Sequence, residues 1–172
     1  MLDQRQRKQH TNNVAVVRGI QFPMSDFRHV VEINVSPARI WPVLLDVEHW
    51  PEWTTSVTRV QRMDIGRVTL GSRTRIWQPK LMPAVWQVTS LDERRHVFAW
   101  TTHTFGIKIV ARHQVDAVGA HSRVILTLNY SGLFGAIMAR IYRDLNWDYI
   151  AREANGLRSR CEAPVPQRAG AR

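Results

Sequence analysis

The feature that most limits how this chain can fold is its last long stretch, Ser131 to Arg160, which reads SGLFGAIMARIYRDLNWDYIAREANGLRSR. Phe134, Ile137, Met138, Ile141, Leu145, Tyr149 and Leu157 recur at helical spacing, and Arg140, Arg143, Asp144, Asp148, Arg152 and Arg158 mostly fill the gaps. The pattern predicts a single amphipathic helix of about eight turns at 3.6 residues per turn. Its apolar stripe needs a surface to cover. The residues before it, Arg28 to Tyr130, read as short strands that need a partner for one face, so the helix is expected to lie across a sheet. The space between the two is expected to be a pocket for an apolar ligand.

The strands follow from alternation and from turn residues. Val31, Ile33 and Val35 alternate with Val30, Glu32 and Asn34. Ser36 and Pro37 then start a helix over Pro37 to Leu45, and Asp46 begins a second short turn, Val47 to Trp50, that Pro51 stops. Six strand-like runs follow: Val57 to Met63, Thr69 to Gln78, Val85 to Leu91, Val97 to Thr104, Ile107 to Val115 and His121 to Tyr130. Gly, Pro and Asp separate them and no helical segment intervenes, which predicts antiparallel hairpins in a curved sheet. The predicted fold class is α+β, a helix-grip: about seven antiparallel strands wrapped around a long C-terminal helix, with two short helices after the first strand. Ser131 is the predicted cap of the long helix. Residues 27–162 are expected to form one domain, residues 1–26 a basic, mostly mobile N-terminal tail, and residues 163–172 a mobile C-terminal tail.

Two motifs inside this order carry a resemblance. Ser36-Pro37-Ala38-Arg39-Ile40-Trp41 sits at the first strand-to-helix junction, and Leu45-Asp46-Val47-Glu48-His49-Trp50-Pro51-Glu52-Trp53 contains a D-x-x-x-W-P-x-W pattern. Gly71-Ser72-Arg73 and Trp86-Gln87-Val88 fit beside them. From about Arg28 to Glu162 the chain resembles the START-like (Bet v 1-like, SRPBCC) superfamily, in particular its polyketide cyclase/dehydrase and lipid-transport group. The resemblance implies a sheet gripping the C-terminal helix around a cavity for sterols, lipids, polyketides or other apolar molecules. It brings no universal catalytic motif, since such folds serve enzymes, carriers, co-chaperone domains and sensors.

Candidate ligand contacts come from strand parity. Trp86 and Val88, Phe98 and Trp100, Ile109 and Ala111, and Leu126 and Leu128 are expected to face the cavity, closed from the helix side by Phe134, Met138 and Ile141. Trp77, Leu81 and Met82, in an apolar loop between Gln78 and Pro83, are candidates for its rim. His113 shares a face with Ile109, Ala111 and Val115; it is either a proton shuttle or a buried histidine bonded to a neighbour. Tyr130 either orients a ligand carbonyl or caps the sheet edge with its hydroxyl outward. Trp50 and Trp53 are expected to brace the short helices against the sheet.

Other chemistries find little support. His29, His49, His96, His103, His113 and His121 fall at no metal-ligand spacing and no cysteine supplements them, so no metal and no cofactor are expected. No nucleophile elbow is present. If there is turnover, it is expected to be a cofactor-independent cyclase or dehydratase reaction, of lyase or isomerase type, with His113 and Tyr130 as the catalytic candidates. The alternatives are a non-catalytic carrier of lipids or other hydrophobic ligands, and a chaperone-like interaction module working through the basic tails.

The formal charge of +10 raises a nucleic-acid partner, but half of it sits in residues 1–19 and 163–172 and the rest is dispersed, which disfavours one. Cys161 is the only cysteine, so no disulfide can form within the chain and a reducing cytoplasm is the expected compartment. The longest uncharged run, Val124 to Ala139, is too short and too polar for a transmembrane helix of about 20 residues. Nothing in the sequence sets the oligomeric state.

Overall fold

The computed structural model describes residues 13–17 and 20–164, with side chains from residue 27 onward. In chain order the elements are β1 (Asn13–Val17), β2 (Ile20–Ile33), α1 (Pro37–Leu45), a 3-10 turn (Val47–Glu52), β3 (Arg59–Arg62), β4 (Arg73–Trp77), β5 (Ala84–Asp92), β6 (Val97–Thr104), β7 (Ile107–Val118), β8 (His121–Gly132), α2 (Gly135–Ile141) and α3 (Arg143–Glu162). One antiparallel sheet runs in the order β1-β2-β8-β7-β6-β5-β4-β3. The helix-grip architecture is as the hairpin pattern predicts, with β2 to β8 as its seven strands and β1 as an eighth.

That eighth strand corrects the expected tail. Asn13–Val17 pairs with Ile20–Met24, and β2 is already paired with β8 at Ser25. Pro23 breaks the alternation there, since proline is rare inside a paired strand, and it hid the partner of the Val14–Val17 run. Residues 1–12 and 165–172, the rest of the two expected tails, lie outside the described residues.

Alternation on the sheet sorts side chains into a concave, buried face and a convex, wetter one. Three rows cross the concave face through cross-strand pairs. The first is Thr102, Ile109 and Tyr130; the second is Val88, Trp100, Ala111, Leu128 and Phe27; the third is Phe98, His113, Leu126 and His29. A register shift between Val88 and Ser90 bends β5 and keeps Val88 in the second row.

The C-terminal helix is two helices, not one. β8 continues to Gly132, so Ser131 is a strand residue and caps nothing; Phe134 stands at the start of α2. At Tyr142 the backbone turns to φ −94°, ψ 16°, between helix and turn, and α3 begins at the next residue. The buried stripe also differs from the predicted one. It runs through Gly135 and Ala139 on α2, then Asn146, Tyr149, Ile150, Ala154, Leu157 and Cys161 on α3. Small residues occupy much of this stripe because the helices approach other backbone closely: a Cβ on Gly135 would lie 3.3 Å from the Tyr130 carbonyl carbon, and one on Gly156 would lie 2.9 Å from that of Trp53. Large side chains at those positions would hold the helices off. Phe134, Ile137 and Ile141, which the hydrophobic pattern counted as core, therefore point away from it.

Candidate functional site

The deep end of the grip is filled. Trp50 anchors it, with its indole N–H donating to the Leu44 carbonyl at 3.1 Å. Its ring centroid lies 5.4 Å from that of Trp53, 5.1 Å from Trp100 and 5.4 Å from His113. Trp100 also meets Trp86 at 5.6 Å and Phe98 at 5.0 Å. These separations are those of direct aromatic packing. Trp86, Val88, Phe98, Trp100 and Leu126, expected as cavity walls, are instead a continuous core in mutual contact. The brace expected of Trp50 and Trp53 is thus part of a larger aromatic cluster.

Within that cluster sits a buried polar pair that spacing alone could not reveal. His113 Nε2–H donates to Glu153 Oε1 at 2.6 Å across 40 residues of chain. Phe98 stacks on the imidazole at 5.3 Å with a 26° tilt. His113 Nδ1 is buried and has no hydrogen-bond partner. With one nitrogen committed to a carboxylate, the other is the one that can take or give a proton. Glu153 is the group that orients the imidazole. It projects from the side of α3 beside the apolar stripe, where a glutamate reads as a solvated charge.

The outer end of the grip is different. Ile109, Ala111 and Leu128 face inward on β7 and β8, both of which are paired on each side. They are nevertheless only half-buried, as are Met138 on α2 and Trp147 on α3 above them, whereas Ile107, His113, Leu126 and Tyr130 nearby are buried. For an inward side chain of an interior strand, solvent arrives across the concave face. These half-buried side chains lie where α2 packs on β7 and β8. Beside them Phe27 meets Trp147 edge-on at 5.4 Å and Tyr130 at 6.1 Å.

The polar feature of this end is the contact of Tyr130 with Asn146. The Tyr130 hydroxyl donates to Asn146 Oδ1 at 3.1 Å, and burial pushes the phenol pKa above its ordinary value of 10.0, so it stays a donor. Asn146 Nδ2 is buried without a partner. An unpaired amide costs free energy of order 1–3 kcal/mol unless some acceptor reaches it. Tyr130 therefore points inward to Asn146, not outward from the sheet edge.

Two of the three expected rim residues share the β4–β5 loop. The Tyr149 hydroxyl donates to the Pro79 carbonyl, tying α3 to the β4–β5 loop that carries half-buried Leu81 and exposed Met82. Trp77 does not belong to it. Its neighbour Ile76 faces the core, while Trp77 lies on the convex side with the Arg59 guanidinium 4.6 Å from its ring centroid. Phe134 and Ile141 are likewise removed from the cavity set, being exposed on α2.

A separate cleft of about 460 Å³ opens at the opposite end of the sheet from α2, lined by Trp41, Leu45, Glu48, Arg62, Val68 and Glu93 among others. Arg62 Nε and Nη2 are buried there without partners, and Nη1 lies 4.0 Å from Glu48 Oε2. Among the described residues no group of three His, Cys, Asp or Glu side chains could hold a metal ion.

Known proteins of this shape are numerous and distant in sequence. An aromatase/cyclase, Zhui, from a Streptomyces species superposes with a TM-score of 0.65 at 16% identity, covering 86% of this chain and 99% of its own. Truncated norcoclaurine synthase from Thalictrum flavum gives 0.68 at 13% identity, over 87% of this chain and 100% of that one. Major latex-like protein 151 from Panax ginseng gives 0.65 at 12%, over 81% and 99%. At these identities the likeness establishes the fold alone. A search of curated protein sequences returns no match. The profile of one family, polyketide cyclase / dehydrase and lipid transport, matches residues 24–162. With its helix-grip fold and a family match over most of its length, the chain belongs to the polyketide cyclase / dehydrase and lipid transport family.

Proposed function

We propose that this protein binds an apolar small molecule, a polyketide, a lipid or an aromatic compound, in a recess between β7, β8 and the α2–α3 bend. The observation that carries the reading is the half-burial of Ile109, Ala111 and Leu128 on the concave face, beside buried Ile107, His113, Leu126 and Tyr130. Covering them with ligand returns about 25 cal/mol for each Å² of apolar surface removed from water. The unpaired Asn146 Nδ2 gives the site a directional donor, which suits a ligand bearing a carbonyl or ether oxygen. The family match to polyketide cyclases, dehydrases and lipid transporters supports an apolar ligand without naming it.

Native mass spectrometry of the purified protein tests this directly, by asking whether an apolar compound travels with it. A Leu128→Arg variant should lose that compound while keeping its fold, because the guanidinium can reach water through the same opening. Retention of the compound by this variant would place the site elsewhere.

A second reading rests on the His113–Glu153 pair. An imidazole oriented by a carboxylate, one row deeper than the recess, has the parts needed for cofactor-independent proton transfer in cyclisation or dehydration. If the protein is an enzyme, His113→Asn lowers turnover far more than ligand affinity; in a carrier, affinity is all there is to change. We place either activity in the cytoplasm on the strength of the single, buried Cys161.

A further inference from the structure

The outer face of α2 and the β6–β7 hairpin tip together form a projecting apolar surface. Ile137 is 58% exposed, Ile141 65%, Leu133 68% and Phe105 93%, with Phe134 half-exposed between them. The patch is continuous: the Phe134 ring lies 3.6 Å from where a Cβ on Gly106 would sit, which seats the start of α2 against the hairpin tip. Phe105 is also strained. Its φ is +42°, followed by Gly106 at +75°, a turn geometry that favours Asn, Asp or Gly in both places. An exposed, unpacked phenylalanine in the left-handed region adds nothing to the fold that a smaller polar residue would not supply more cheaply.

Charge identifies what covers this surface. Exposed Lys108 follows the hairpin tip by three residues and exposed Arg140 and Arg143 flank Ile141 along the chain, and among the described residues none of the three has a side-chain ion pair or hydrogen bond. Asp144 is the only acid from residue 117 to residue 147. A second copy of this chain would bring the same unpaired cations and a further formal charge of +10 against them. The apolar side chains stand on a convex helix and hairpin tip, not in a groove, so they do not receive a partner's helix or strand. A short amphipathic helix with large apolar side chains outward and arginines beside them is suited to lie in the interface of an anionic bilayer.

We propose that α2 and the β6–β7 tip dock this protein on an anionic membrane surface, with Phe105, Phe134, Ile137 and Ile141 entering the headgroup boundary and Lys108, Arg140 and Arg143 meeting lipid phosphates and carboxylates. No helix of the described residues is long and apolar enough to cross a membrane, so the contact is peripheral. The inner face of α2 carries Met138 at the recess, so docking sets the recess mouth against the lipid. The surface stands whether or not the recess holds a ligand.

Full-length protein and vesicles of phosphatidylcholine, with and without phosphatidylglycerol, test the proposal by co-sedimentation. Binding is expected to the anionic vesicles only and to weaken as salt rises. Ile137→Asp and Ile141→Asp should each lower the partition coefficient by about tenfold or more, the effect of withdrawing one large aliphatic side chain from an apolar environment. Both variants should keep the parent circular dichroism and melting curve, because both positions are solvent-exposed, and Ile141→Leu should bind as the parent does. Failure to bind anionic vesicles would overturn the proposal. So would binding that survives both Asp substitutions, which would assign it to other basic residues, or a concentration-dependent dimer that those substitutions abolish.

Discussion

His113 on β7 and Glu153 on α3 meet at 2.6 Å and close the deep end of the interior with a polar contact inside an aromatic shell. The imidazole is almost fully buried and the carboxylate largely so. Truncating the carboxylate leaves a buried ring with neither nitrogen partnered, since Nδ1 already lacks one. Glu153→Ala should therefore lower the free energy of unfolding by about 1–3 kcal/mol, the cost of stranding a buried polar group. Glu153→Gln keeps an acceptor in place and should lose less. Urea titrations of the three proteins decide this, and coincident curves would mean that the pair contributes nothing to the fold.

Gly156 presents a conflict between local and tertiary preference. In an isolated helix, replacing a mid-helix glycine with alanine gains about 1 kcal/mol. Here α3 presses on the chain after the 3-10 turn, and the new methyl would overlap the Trp53 carbonyl oxygen and sit 3.3 Å from Thr54 Cα. Both obstacles are backbone, which cannot rotate away. Gly156→Ala is expected to lower the melting temperature, with a net loss of about 1–3 kcal/mol typical of overpacking. A rise in melting temperature would show that α3 and this loop are less closely seated.

His29 gives the fold a pH dependence. It lies on the third concave row beside Leu126, and burial holds its pKa below the ordinary 6.5. As pH falls through 6.5 the unfolded chain takes up a proton that the folded chain refuses. Stability therefore drops from that point down to the lowered folded value, then levels off. Exposed His49, raised chiefly by its hydrogen bond to Asp46, acts with the opposite sign, lending stability at low pH that is lost as pH rises through its folded value. A His29→Gln variant should remove the first contribution and leave the second. The difference between the two proteins' stability curves, followed from neutral to mildly acidic pH, isolates it; a difference that does not change with pH would contradict the burial of this ring.

The architecture was largely legible because strand alternation and turn residues are local signals. Val97–Thr104 is a strand over the expected span, and the short turn begins at Val47 as expected but runs on through Pro51 to Glu52, since Pro51 did not stop it. The helix face was less legible. Hydrophobic periodicity weights large side chains, whereas close packing of α2 and α3 selected Gly135, Ala139 and Ala154, and left Ile137 and Ile141 outside. Parity placed His113 and Tyr130 inward correctly. Their partners, Glu153 and Asn146, were out of reach, because a polar residue facing a sheet has the same sequence signature as one facing water. The filled aromatic end was equally hidden. Alternation tells which rings face in, not whether they meet.

Cys161 offers a chemical measure of how firmly the last helix is held. It is 1% exposed on the buried stripe of α3, and burial pushes its thiol up to about 11 despite the opposing influence of Arg39 and Arg160. The Arg39 guanidinium also donates to the Ala163 carbonyl at 2.5 Å, fastening α1 to the end of α3. At pH 8 such a thiol is ionised in only about one molecule in a thousand, against roughly a quarter for a free cysteine, and it is shielded from reagents as well. A disulfide reagent should leave the native protein unmodified at pH 8 and react at once in denaturant. The slow native reaction that remains should follow opening of α3, so it should quicken in Arg39→Ala in proportion to the stability that variant loses. Because the fold holds the thiol protonated, stability should also decline as pH rises from about 8, where the unfolded thiol is already partly ionised, toward 11. Rapid labelling of the native chain at pH 8 would mean that the C-terminal turn of α3 is not packed against α1.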